Sequence, residues 1–230
     1  MLLDPTKKHI FIWVPGTGGH EVHPAFRAAV EKQLGDEAQL LHVEYPAIWN
    51  FDKSVPVGIK ELTKMLKQVR KEKTPDQKVY VGGSSQGAWV ISDVYNPQFG
   101  YDRIYSVSRT PNLPYNDIVT KTVIFGHPGV AHTHWHDRIE GSPMWEIDNP
   151  HDAVAYSWPG EERKLVRALG DLWKGKFWKL GTILWEVIKH PKKSSQLIWL
   201  ILCATGVVWW TDSPHDYSQQ MPLVVYWLIN

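Results

Sequence analysis

The run from Lys78 to Ile91, read as a strand that must turn sharply into a helix, constrains this chain more than any other stretch. Val79, Tyr80 and Val81 favour extended backbone. Gly82, Gly83 and Gly87 permit a tight turn and close approach of helix to strand. From Ala88 to Val94 the apolar residues fall at helical spacing. The connection itself, Gly83-Ser84-Ser85-Gln86-Gly87, is a G-x-S-x-G motif. A turn of this shape lifts the Ser85 hydroxyl above the sheet, and the next backbone N–H can help to hold an oxyanion. The alternative is an ordinary strand–loop–helix connection in which Ser84 or Ser85 caps the helix.

The stretches before this run have the same grain. His9-Ile10-Phe11-Ile12-Trp13-Val14 is a continuous apolar run, as a buried strand of a parallel sheet requires. It leads into Pro15-Gly16-Thr17-Gly18-Gly19-His20, a turn at the strand's C-terminal end, where ligand sites of open α/β sheets gather. The Thr17 N–H and hydroxyl are a candidate second oxyanion donor; a plain glycine-rich loop is the other reading. A helix is predicted over Pro24–Leu34 with proline in its first turn, and a strand over Gln39–Tyr45 ended by Pro46. Residues 48–54 are expected to be an irregular aromatic loop. Ile59, Leu62, Met65, Leu66 and Val69 mark an amphipathic helix with a lysine-rich, solvated outer face, stopped by Pro75. Strand and helix alternate, which implies an α/β fold with a mostly parallel central sheet.

Downstream, residues 96–116 carry Pro97, Gly100, Pro111 and Pro114 and are expected to be a long loop walling a site. Lys121–Gly126 and Met144–Ile147 read as two further strands. Between them His132, His134 and His136 have a spacing that would put three imidazoles on one face of a strand. No strand pattern supports that alternation, so a polar loop is preferred and no metal or other cofactor is expected. Asp148 and Asp152 follow the Met144–Ile147 strand, and both are candidate acids, although an Asp ahead of a helix is also a common cap.

Seven of the chain's 13 tryptophans lie between Trp158 and Trp210, where the strand pattern disappears. Trp173, Phe177, Leu180, Leu184 and Val187 follow helical spacing. Their apolar arc, widened by Trp178 and Trp185, is broader than one core-facing stripe needs. The apolar run Leu197–Trp210 has 14 residues, short of the roughly 20 that cross a bilayer. It suits a helix sheathing an acyl groove, or one that covers the sheet. Amphipathic rings of this kind also suit peripheral contact with a lipid-rich surface. A polar loop with His215 precedes a final helix, roughly Ser218–Ile229. Ser85, Asp152 and His215 then follow the Ser…Asp…His order of α/β-hydrolases. His215 is preferred because His190 ends an amphipathic helix and His151 adjoins the candidate acid.

Composition excludes some alternatives. The 230 residues, with 25 basic and 24 acidic side chains, suit one domain with a sizeable core and give no sign of nucleic-acid binding. Cys203 is the single cysteine, so no internal disulfide can form. Residues 1–8 hold no apolar signal region, and synthesis in a reducing cytosol is expected.

Taken together, Gly83–Ala88, Gly16-Thr17-Gly18, Phe125-Gly126-His127-Pro128, Pro150-His151-Asp152 leading to Tyr156, and His215-Asp216-Tyr217 resemble the lysin B family of mycobacteriophages, which is similar to cutinases. The resemblance implies a cutinase-like α/β-hydrolase core over 1–160, a helical insertion over 161–210, and a histidine loop and closing helix over 211–230. It also implies an esterase that cuts mycolic acids from arabinogalactan late in infection. On this pattern Ser85 is the nucleophile, Asp152 the acid, His215 the base, and Thr17 and Gln86 the oxyanion donors. Trp173, Phe177, Trp178 and Trp185 would contact the acyl chains. His151 departs from the family, in which a small residue precedes the acid. Synthesis in the host cytoplasm and action at the host envelope on lysis are the corresponding expectations. The alternatives are a general cutinase- or lipase-type carboxylesterase and a non-enzymatic lipid- or wall-binding module.

Overall fold

A computed structural model describes residues 2–48, 50–95, 115, 117–127, 144–147, 181, 185 and 216–230. Five strands, β1 (His9–Val14), β2 (Ala38–His42), β3 (Lys78–Ser84), β4 (Val119–Phe125) and β5 (Met144–Ile147), form one sheet in the order β2-β1-β3-β4-β5. Every pairing is parallel. The connecting helices are α1 (Pro24–Leu34), α2 (Phe51–Glu72) and α3 (Gln86–Tyr95), and α4 (Met221–Ile229) follows later in the chain. The α/β fold expected from the alternation of strand and helix is therefore present.

Side chains alternate between the two faces of the sheet. Ile10, Ile12, Val14, Val79 and Val81 face a core completed by Leu62, Leu66 and Val69 of α2 and Ala88, Ile91 and Val94 of α3. Phe11, Trp13, Tyr80, Val123 and Phe125 face the opposite core, closed by Phe26 and Val30 of α1 and Val224, Val225 and Leu228 of α4. The Trp13 and Phe26 rings lie 4.8 Å apart there. Lys121 donates to the Trp227 carbonyl (2.7 Å), and the Gln33 amide donates to the Pro222 carbonyl (2.9 Å). These bonds tie α4 to β4 and to α1.

Local chemistry explains where elements begin and end. Pro24 opens α1, and Gly35 at φ 49° ends it. Two sequence-based boundaries are corrected. β2 stops at His42 rather than Tyr45: the Val43 N–H reaches the Trp13 carbonyl at 2.9 Å, after which the chain leaves the sheet. Residues 51–54, expected in a loop, are the first turn of α2, whose Asn50 carbonyl accepts from the Lys53 and Ser54 N–H groups. Pro56 lies within that helix, where it removes one backbone donor. The last helix begins as a 3₁₀ turn, Ser218–Gln220.

Most of the expected 96–116 loop and of the tryptophan-rich segment lies outside the described residues. Gly181 and Trp185 are described and both are helical. No helix among the described residues is long and apolar enough to cross a membrane.

Candidate active site

The strand order places a crevice where β1 and β3 meet. From β1 the chain moves outward to β2, and from β3 it moves the other way to β4 and β5. The loops leaving β1 and β3 must therefore part at their C-terminal ends, which is where open α/β sheets hold ligands. Val14 pairs with Gly83, so Gly16-Thr17-Gly18 and Ser84-Ser85 emerge side by side. A Cβ on Gly16 would lie 3.0 Å from the Ser84 carbonyl oxygen and 3.5 Å from the Ser85 Cβ. The half-buried Thr17 follows directly.

Ser85 sits at φ 52°, a left-handed conformation that costs a non-glycine residue on the order of 1–2 kcal/mol. Its backbone is held at both ends. The Ser85 N–H donates to the Phe125 carbonyl at the end of β4 (2.8 Å), and its carbonyl accepts from the Trp89 N–H within α3 (3.1 Å). The strained residue is thus clamped between two strands and a helix. Gln86 is the first residue of α3, where an N–H has no intrahelical acceptor and the helix dipole favours negative charge. Gln86 offers the crevice its backbone only. Its side chain is buried and bonded to Ser54 (2.9 Å) and to the Ile48 carbonyl (3.0 Å).

Asp152, His215, Asp148, Trp173, Phe177 and Trp178 lie outside the described residues. Trp185 is described and is 57% exposed. The described neighbours of two of these positions, Ile147 and Tyr217, both meet Phe125. Ile147, the last residue of β5, lies in register with Phe125, whose carbonyl holds Ser85. Tyr217, two residues past His215, packs against Phe125 with ring centroids 5.8 Å apart and the planes tilted by 48°. Asp216 accepts from the Ser218 N–H (2.9 Å) and raises the proton affinity of His23 at the start of α1. Burial outweighs that effect, and the His23 pKa lies below the ordinary histidine value. Its Nδ1 is buried with no hydrogen-bond partner among the described residues. Among the described residues no cluster of three His, Cys, Asp or Glu side chains could hold a metal ion. His132, His134 and His136 lie outside them.

Sequence reasoning missed Tyr45, Ala47, Ile48 and Ser54 as parts of this site. The Tyr45 hydroxyl donates to the Pro15 carbonyl (2.5 Å), and the Gly18 N–H donates to the Ala47 carbonyl (2.7 Å). No motif announces such contacts, because they join segments about 30 residues apart.

The cutinase family model matches residues 14–154, from the last residue of β1 through the end of β5, which takes in both loops of the crevice. The chain belongs to the cutinase family. Among solved structures, this cutinase-family chain is similar to lysin B from Mycobacteriophage D29, with a TM-score of 0.57, 14% identity, and 97% of this chain and 100% of that one covered. A cutinase-like protein from Cryptococcus sp. matches with a TM-score of 0.45, 14% identity and coverage of 76% and 95%. Trichoderma reesei cutinase in complex with a phosphonate inhibitor matches with a TM-score of 0.48, 17% identity and 67% of each chain. At these identities the likeness to lysin B is one of fold. No curated protein sequence matches the chain. Family and fold together support a carboxylic ester hydrolase of the cutinase type.

Proposed function

We propose that this cutinase-family chain is a serine esterase of the lysin B type, which hydrolyses the ester between mycolic acids and arabinogalactan in the mycobacterial envelope and so assists host lysis. The observation that carries the reading is Ser85 itself: a serine held in strained backbone at the switch point of a parallel sheet, directly before a helix N-terminus. Strain of this kind persists where function needs the residue in place. The fold shared with lysin B along nearly the whole of both chains supports the finer assignment, as does the set of short motifs described from the sequence.

The proposed reaction has two acyl-transfer steps. His215 takes the Ser85 proton as Ser85 attacks the ester carbonyl. The backbone N–H groups of Thr17 and Gln86 receive the oxyanion, an interaction typically worth about 3–4 kcal/mol per donor. Asp152 orients His215 and stabilises the imidazolium. The sugar hydroxyl departs with the proton from His215, and water then attacks the acyl-enzyme to release the fatty acid. Trp173, Phe177, Trp178 and Trp185, in the 161–210 segment, would line the path of the acyl chains. The 1–160 core and the 211–230 closing segment would supply the catalytic groups. Synthesis in the host cytoplasm and peripheral contact with the envelope belong to the same proposal.

A second reading is a general cutinase- or lipase-type carboxylesterase, favoured by the family match, which does not distinguish acyl chains. Mass spectrometry of purified mycobacterial envelope treated with the protein separates the two. Release of free mycolic acids by wild type but not by Ser85→Ala supports the lysin reading. Hydrolysis of short p-nitrophenyl esters without mycolic acid release supports the general esterase, and neither activity would overturn both.

A further inference from the structure

Three hydrogen bonds close a ring next to the proposed oxyanion site. The Ile48 N–H donates to Ser54 Oγ (3.2 Å), the Ser54 hydroxyl donates to Gln86 Oε1 (2.9 Å), and Gln86 Nε2 donates to the Ile48 carbonyl (3.0 Å). Each direction is forced. A carbonyl can only accept, so Gln86 must turn Nε2 toward Ile48 and Oε1 toward Ser54, whose hydroxyl then has to donate. Ser54 is fully buried and Gln86 is 1% exposed, so a broken ring would leave polar atoms unpaired away from water.

The Tyr45–Ile48 segment that carries this ring is tied at its other end to the β1 loop. Tyr45 bonds Pro15, and Gly18 bonds Ala47. Ala47 is fully buried at φ 46°. A left-handed alanine is held only where its surroundings determine it on several sides. Behind the segment, a Cβ on Gly58 of α2 would lie 2.7 Å from the Val90 side chain and 3.0 Å from the Tyr45 ring, so α2 leaves the brace no room to retreat.

We propose that Ser54 is a positioning residue which, through the Gln86 side chain and the Tyr45–Ile48 brace, fixes the Gln86 and Thr17 N–H groups relative to each other before substrate binds. This rests on the serine-esterase reading above. Neither Ser54 nor Tyr45 is assigned any contact with substrate. A donor pair set in advance needs no reorganisation when the oxyanion forms. Ser54→Ala opens the ring at one end of the brace, and Tyr45→Phe removes only the hydroxyl that ties the other end to Pro15.

The test measures p-nitrophenyl butyrate kinetics together with inhibition by an alkyl trifluoromethyl ketone, which forms a tetrahedral oxyanion on a serine nucleophile. Each variant is expected to lower kcat about tenfold with KM changed by less than about twofold, since a donor moved by an ångström can cost on the order of 100-fold. The inhibition constant should rise by the same factor as kcat/KM falls. A merely structural role would lower the melting temperature without this matched loss. If Ser54→Ala does not fold, Tyr45→Phe decides. Unchanged kcat, or a lower kcat with unchanged ketone affinity, overturns the proposal. A wild type that is active through Ser85 beside fully active variants defeats the positioning role alone, whereas an inactive wild type defeats the esterase reading and this role with it.

Discussion

Adding one methyl group at Gly87 should both loosen the fold and misplace the oxyanion site. Gly87 is the second residue of α3, and a Cβ there would lie 2.0 Å from the Val14 carbonyl oxygen, 2.7 Å from its carbon and 2.8 Å from the Pro15 oxygen. All three atoms belong to the backbone of β1 and its loop, so no side-chain rotation relieves the clash. Ordinary contact resumes at 3.4 Å, so the start of α3 must withdraw by about 1.4 Å, the difference of the two distances. In an unobstructed helix Gly→Ala gains roughly 0.5–1 kcal/mol. Overpacking costs typically 1–3 kcal/mol, and the immovable neighbours put Gly87→Ala at the upper end, about 3 kcal/mol destabilising. For a chain of this size that lowers Tm by roughly 6–12 °C. The Gln86 N–H moves with the helix, so kcat should fall on the order of 100-fold. Gly18→Ala is the control: its Cβ would meet no atom within 4 Å, although φ is +81°. It should cost about 1–2 kcal/mol from backbone strain alone. Urea melts and p-nitrophenyl butyrate turnover read both effects. A Gly87→Ala protein with wild-type melting and wild-type kcat would refute the argument that α3 is seated against Val14.

Further outcomes follow from the same contacts. Ser85→Gly and Ser85→Ala should both be inactive, yet the glycine variant should be more stable by about 1 kcal/mol because only it escapes the strain at φ 52°; equal urea midpoints would contradict that. His23 and His9 are both held below the ordinary histidine pKa, chiefly by burial. The unfolded chain therefore binds their protons more tightly, so their stabilising contribution is complete above about pH 6.5 and is lost as pH falls toward the lower folded values. His23→Gln should flatten the decline in urea midpoint on acidification from about pH 7.5 to about pH 5.5, and an unchanged slope would exclude His23 as a source. Asp152→Asn should lose activity while Asp148→Asn keeps it, and the reverse pattern in the same ester assay would move the acid to Asp148.

What the sequence disclosed tracks what is local. The apolar run of β1 and the proline-to-glycine frame of α1 carry their own boundaries, and the structure has β1 at His9–Val14 and α1 at Pro24–Leu34. The G-x-S-x-G turn was legible because only glycine fits at 83 and 87, where an added Cβ would lie 3.0 Å and 2.0 Å from the Val14 carbonyl oxygen, and Ser85 takes the positive φ such a turn needs. The start of α2 was not legible. Residues 51–54 read as an aromatic loop, and it is burial of Ser54 and Val55 that draws them into a helix. The brace was also hidden, since Ala47 has no propensity for positive φ and Ser54 meets Gln86 only after α2 and α3 have packed. The positions assigned to the acid, the base and three of the four acyl contacts lie outside the described residues. Of their surroundings the structure describes Ile147 and Tyr217, which both meet Phe125.

The claim underlying all of this is that Ser85 is a reactive nucleophile. Treating the wild-type protein with a fluorophosphonate and mapping the adduct by peptide mass spectrometry tests it most directly. One phosphonylated residue, Ser85, is expected, with labelling abolished in Ser85→Ala and hydrolysis lost in step with labelling. An unlabelled Ser85 in protein that still hydrolyses the ester, or an adduct on the adjacent Ser84 instead, would contradict it.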